Sequence, residues 1–128
     1  YTCEYDHPAI PITHAEFDAT DVVFRREIAG ARTFGFRRDE VTLRKLGLAK
    51  GVSLSNTVVF GDHKVLNPPG LRWPDEPIRH KLLDMIGDLY LAGAPILGRV
   101  HGYCSGHALN HALVTKLMET PSAWRWVN

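Results

Sequence analysis

The sequence predicts an α+β fold, a two-layer sandwich in which a mixed β-sheet is covered by two main helices, with a small β-α-β insert at its rim. Three observations predict it. Short alternating or β-branched stretches recur between turn-forming residues, as strands do. Two longer stretches, beginning near Asp75 and His107, carry apolar residues at helical spacing. At 128 residues the chain has the size of one domain, residues 1–128, and can bury a core.

The elements follow in order. Tyr1 to Asp6 alternates like a strand and stops at His7-Pro8, and a second strand is expected around Asp21 to Arg25. Arg32 to Phe36 is expected to be extended, with Phe34 and Phe36 on one face. Arg38 to Leu46 reads as a short helix ending at Gly47, and Gly51 to Asn56 as a loop. Thr57 to Phe60 is strand-like, and Gly61-Asp62 can turn the chain into His63–Leu66 as a hairpin. The insert therefore occupies about residues 34–60. Asn67-Pro68-Pro69-Gly70 breaks structure before a long helix that starts near Asp75, ends at Gly93 and is sealed by Pro95. Ile96 to Tyr103 is expected as a strand with Arg99, His101 and Tyr103 on a common side. The final helix should run from His107 to Met118, with Trp124 and Trp126 packed back on the body.

Composition narrows the function. A formal charge of +1 favours neither a nucleic-acid surface nor a funnel for acidic substrates. No stretch approaches the roughly 20 apolar residues that span a bilayer. Two cysteines, Cys3 and Cys104, make no disulfide framework, so a cytoplasmic protein is expected.

The most informative residues lie at 79–88. A helix advances about 100° per residue, which puts Ile78, Leu82, Met85, Ile86 and Leu89 in one apolar arc. His80, Asp84 and Asp88 follow at i, i+4 and i+8 on the opposite side, flanked by Lys81. Neighbours at i, i+4 have Cβ atoms about 5–6 Å apart, so an imidazole and a carboxylate can reach one ion, and that pair suits zinc. A solvated helix face shows the same pattern, and the spacing alone favours that reading over a metal site.

A second cluster, Tyr103 to His111, adds weight. Ser105 reads as an N-cap, which places His107 in the first turn of the last helix. The helix dipole disfavours imidazolium there, and a carboxylate such as Asp88 would oppose that and hold one tautomer. Such a histidine suits proton donation, although a histidine that only helps cap its helix fits the same residues. His111, one turn on, should face solvent or a neighbouring element.

His80-Lys81-x-x-Asp84-x-x-Gly87-Asp88 followed by Ser105-Gly106-His107-Ala108-Leu109-Asn110 resembles the C-terminal half of the UDP-3-O-acyl-N-acetylglucosamine deacetylases, zinc enzymes of lipid A biosynthesis in Gram-negative bacteria. Ala31 to Phe36, and Val65-Leu66-Asn67 with Gly70-Leu71-Arg72, match two further blocks, and the likeness runs over nearly the whole chain.

The resemblance implies a set of roles. His80 and Asp84 would be zinc ligands, Lys81 a lysine beside the metal, and His107 the histidine that assists the tetrahedral intermediate, oriented by Asp88. Thr33 would help stabilise the oxyanion. Phe34 and Phe36 would line the substrate site, and Leu46, Leu54 and Val59, with Leu43 and Leu48, would wall an acyl-chain passage. For any one of the apolar groove residues taken alone, ordinary core packing is the favoured account.

The chain also departs from the family pattern. Cys104 stands where a basic residue usually precedes Ser-Gly-His, with Arg99 or His101 as possible substitutes. Gly51-Val52-Ser53-Leu54-Ser55 replaces a Gly-Gly-Ser-x-Asp segment, losing a glycine at Val52 and an acid at Ser55. The family's His-Thr-x-x-His motif is not found, and the chain opens at Tyr1 rather than methionine. The expectation is therefore a C-terminal half with an incomplete zinc site, inactive alone and joined by its missing half or by self-association through an exposed apolar face. The expected substrate is an acylated UDP-sugar. The alternative is a non-catalytic remnant that binds an acylated sugar nucleotide or a protein partner.

Overall fold

The computed structural model describes residues 1–127. Its regular elements are α1 (Asp21–Val23), running on as a π-helical turn over Phe24–Ile28, β1 (Thr33–Phe36), α2 (Glu40–Lys45) entered through a 3₁₀ turn, β2 (Thr57–Phe60), α3 (Glu76–Leu89) and α4 (His107–Met118). The class is α+β as expected.

β1 and β2 pair in parallel, Thr33 with Thr57 through Phe36 with Phe60, and α2 lies in the crossover. This is the β-α-β unit the sequence predicts, since parallel neighbours need a connection of this kind. The hairpin after β2 is present as one antiparallel bridge, Phe60 to Val65, closed by the Gly61 amide donating to the Lys64 carbonyl at 2.8 Å. Asn67 covers the other side of β2. Its Oδ1 accepts from the Val59 amide at 2.8 Å, and its Nδ2 donates to the carbonyls of Thr57 at 2.6 Å and Leu54 at 2.8 Å.

Three expected strands differ. Asp21 to Arg25 is helical: the Thr20 hydroxyl caps the Val23 amide at 3.3 Å, and Phe24 and Ile28 fall one turn apart, a spacing that outweighs the β-branched Val22-Val23 pair. Tyr1–Asp6 and Ile96–Tyr103 are extended but pair only around Thr2, which bridges His14 on one side and Tyr103 on the other. Gly98 and Gly102 interrupt the second segment, and Ile96 and Leu97 lie exposed, so little apolar burial favours a ladder there.

α3 ends in a 3₁₀ turn over Tyr90–Ala92 and at Gly93, whose φ of 84° is the left-handed cap expected of glycine. Its buried side carries Ile78, Leu82 and Met85, which pack with Tyr1, Cys3, Ala15 and Ile28. A second cluster, Ile10, Val58 and Phe60 with Phe34 and Phe36 against it, fills the β-α-β unit, and Tyr5 touches both. Trp124 does pack back, its Nε1–H donating to the Leu117 carbonyl at 3.0 Å. Trp126 instead leans edge-on against Trp124 and stays largely exposed. No helix among the described residues is long and apolar enough to cross a membrane.

A buried ion pair joins the layers. The Glu76 carboxylate, fully buried, accepts from Arg32 Nε at 2.9 Å, Arg32 Nη2 at 3.0 Å, and the backbone amides of Arg32 and Arg72 at 3.0 and 2.7 Å. Burial alone would raise this carboxyl, but these bonds prevail and hold it below its ordinary range. Arg32 immediately precedes β1 and Glu76 begins α3, so the pair sets one against the other.

Candidate active site

That setting places Ala31 over the first turns of α3. The Ala31 carbonyl faces His80 Nδ1 at 3.1 Å, and because a carbonyl only accepts, Nδ1 carries the proton. His80 Nε2 is thereby turned toward Asp84 Oδ1, 3.4 Å away. Imidazoles that bind metals commonly have such a backbone acceptor on the other nitrogen. Lys81 Nζ lies 3.3 Å from Asp84 Oδ2, and all three side chains are half-buried or nearly so, at 16–20% exposure. The imidazole–carboxylate pair thus converges as the i, i+4 spacing predicts. It offers two donor atoms to a cation and leaves the other positions open.

One turn further along α3 lies Asp88, buried beneath α4. His107 Nδ1 is 2.8 Å from Asp88 Oδ2, Asn110 Nδ2 donates to the same oxygen at 2.8 Å, and His111 Nε2 is 3.0 Å from Oδ1. Burial pushes the Asp88 carboxyl up, yet the bonds from Asn110, His107 and His111 outweigh it and keep the group ionised below its ordinary range. The donor atoms of Asp88, His107 and His111 fall within 4.8 Å of one another. Their N···O separations are those of imidazole–carboxylate hydrogen bonds, the arrangement that orients a histidine for proton transfer.

The expected orientation of His107 by Asp88 is present in the geometry. Asn110 and His111 were not singled out, although positions i+3 and i+4 from His107 must share its helix face. The expected Ser105 cap is replaced by Gly106 as the N-cap residue. Ser105 is buried instead, its carbonyl accepting from the Tyr1 hydroxyl and its Oγ packed against Gly102 rather than on the helix amides.

The remaining candidates divide. Phe34 meets the His80 ring edge to face, with centroids 6.4 Å apart. Phe36 meets Phe34 edge to face, with centroids 6.4 Å apart, and also packs against His7 and Phe60 with the Arg38 guanidinium over its face, beside a cavity of about 130 Å³. Thr33 is exposed at the start of β1. Leu46 and Leu54 are exposed and Val59 half-buried, with Leu54 and Val59 both tied to Asn67. Arg99 pairs with Glu16 and His101 meets the Thr2 hydroxyl, while Cys104 is exposed with φ 46°.

The chain is similar to known proteins. The chain is 49% identical over 126 residues to a UDP-3-O-acyl-N-acetylglucosamine deacetylase of Myxococcus xanthus, covering 98% of this chain and 40% of that protein. It is 47% identical over 130 aligned positions to the protein of the same name from Stenotrophomonas maltophilia, covering all of this chain and 43% of that one. An Anaeromyxobacter protein of that name is 49% identical over 127 residues. The chain therefore spans about two-fifths of the length of these relatives. With the family model matching residues 1–119, the chain belongs to the UDP-3-O-acyl N-acetylglycosamine deacetylase (LpxC) family.

Proposed function

We propose that this chain is the C-terminal part of a cytoplasmic, zinc-dependent amidohydrolase that removes the N-acetyl group of UDP-3-O-acyl-N-acetylglucosamine in lipid A biosynthesis. The observation that carries the reading is the approach of His80 Nε2 to Asp84 Oδ1, with the Asp88–His107 pair one turn away. His80 and Asp84 would hold the zinc, and the donor set of imidazole and carboxylate fits it. Zinc bound there supplies Lewis acidity toward the amide carbonyl and toward the attacking water.

The other roles belong to the chain's own residues. Lys81 carries a compact positive charge beside Asp84, suited to a developing oxyanion, and the Thr33 hydroxyl adds a donor from β1. Asp88 holds His107 by Nδ1, so that Nε2 faces the departing amine and, with the ring in its protonated form, can give it a proton. Phe34, Phe36, Leu46, Leu54 and Val59 contact the acyl chain, each buried CH₂ contributing about 0.8 kcal/mol.

Two donors hold zinc weakly, so the isolated chain is inactive and the missing ligands come from the rest of a longer protein. Zinc titrated into the chain by calorimetry tests this: binding should weaken by about tenfold or more in His80→Ala, roughly 1.4 kcal/mol or above. Identical isotherms remove His80 from the site. A second reading, a non-catalytic binder of an acylated sugar nucleotide, draws on Cys104, Val52 and Ser55. Full deacetylation by a hybrid carrying this chain behind the N-terminal portion of the Myxococcus relative would end that reading.

A further inference from the structure

α4 turns three side chains toward one carboxylate, and the proposed reaction uses only one of them. Asp88 is 9% exposed, and its two oxygens are shared out. Oδ2 takes Asn110 and the nearer contact of His107, and Oδ1 takes His111 at 3.0 Å. An ionised carboxylate has no proton to give. Both imidazoles must therefore donate to it, His107 through Nδ1–H and His111 through Nε2–H. Two rings whose centroids lie 6.1 Å apart are thus held in opposite tautomers by one acid.

We propose that His111 is a positioning residue for His107. By donating to Oδ1 it fixes the rotation of the Asp88 carboxylate, so that Oδ2 stays turned to His107 Nδ1 and His107 Nε2 stays outward and unprotonated when the ring is neutral. Without His111, Oδ1 has only the longer His107 contact of 3.0 Å, and the carboxylate can turn to share its oxygens. The bond that holds the proton on His107 Nδ1 would then weaken, and part of the neutral population would carry it on Nε2, the wrong nitrogen. No other charged side chain among the described residues bonds Asp88. Lys81 and Asp84, two turns and one turn back on α3, are engaged with each other.

The catalytic consequence rests on the reading of His107 as proton donor, but the tautomer assignment does not, and the two fail separately. The test is long-range ¹H–¹⁵N correlation of the imidazoles in the full chain, above the pH where the rings are charged. In the wild type, His107 should show a protonated Nδ1 and a bare Nε2, and His111 the reverse. In His111→Ala the two His107 nitrogens should move toward each other's shifts, and Asp88 should titrate at higher pH because it loses one of three stabilising bonds. His111→Gln, which keeps an N–H donor, should restore both signals and also serves if the alanine variant does not fold. Unchanged His107 nitrogens in both variants overturn the proposal. Zinc binding at His80 and Asp84 should be the same in all three proteins, which separates this result from the fate of the metal site.

Discussion

Arg32 and Glu76 form an ion pair with almost no contact with water, although 44 positions separate them in the chain. Two of the four bonds to Glu76 come from the Arg32 side chain and two from backbone amides, Arg32 just before β1 and Arg72 in the loop before α3, so the pair controls where Ala31 meets His80. Glu76→Gln leaves the Arg32 guanidinium buried without a counter-charge, and such breaks cost about 3–5 kcal/mol. Urea denaturation should show that loss, and a wild-type midpoint in the variant would refute the claim. His80 should also lose affinity for zinc in parallel, because its backbone acceptor moves.

Acid should weaken the fold through the same carboxylates. Glu76 and Asp88 sit below their ordinary values of 4.5 and 3.8, their hydrogen bonds prevailing over burial. A carboxylate whose folded pKa is depressed adds stability above its unfolded pKa and loses it as pH falls through the folded one. The loss should therefore begin below pH 4.5 for Glu76 and below 3.8 for Asp88. Denaturation midpoints followed downward from neutral pH should slope less in Glu76→Gln. Equal slopes would place the acid-sensitive group elsewhere.

Asp88→Asn should separate orientation from binding. The amide carries N–H groups where His107 and His111 now find only acceptors, which favours the wrong tautomer. In an active hybrid enzyme kcat should fall by about 10²–10⁴ with KM little changed, the usual range for a lost proton-transfer group. A fall confined to KM would argue for substrate contact instead.

Gly102 is a packing constraint. A Cβ there would lie 2.7 Å from the Tyr1 ring and 2.8 Å from Ser105 Oγ. Gly102→Ala should cost about 1–3 kcal/mol, as overpacking does, and should loosen Tyr1 from the segment leading into α4. A thermal midpoint equal to wild type would show that the ring simply steps aside.

Self-association is expected at high concentration. Leu91, Leu97, Leu109 and Leu113 are exposed, and large apolar side chains left in water seek cover. Light scattering should report a mass that rises with concentration, whereas a strict monomer throughout would count against it.

Much of the site was legible because helices convert spacing into direction. His80 and Asp84 converge, and His107 reaches Asp88, through periodicity and a helix start that the residues themselves announce. The Glu76 contact was not legible, since a first-turn glutamate reads as a dipole partner, and only the folded chain brings Arg32 to it. Nor could alternation separate Val22-Val23 from a strand, because the Thr20 hydroxyl decides in favour of helix. Ile96 to Tyr103 shows the reverse failure: its pattern suits a strand, but only Tyr103 finds a bridging partner, at Thr2.

Asn67 gives β2 a neighbour made of a single amide. Its side chain occupies the Val59 N–H and the Thr57 carbonyl that another molecule's strand would otherwise seek. Asn67→Leu would keep the bulk but leave both backbone groups without that partner. One amide group here completes the edge of a strand.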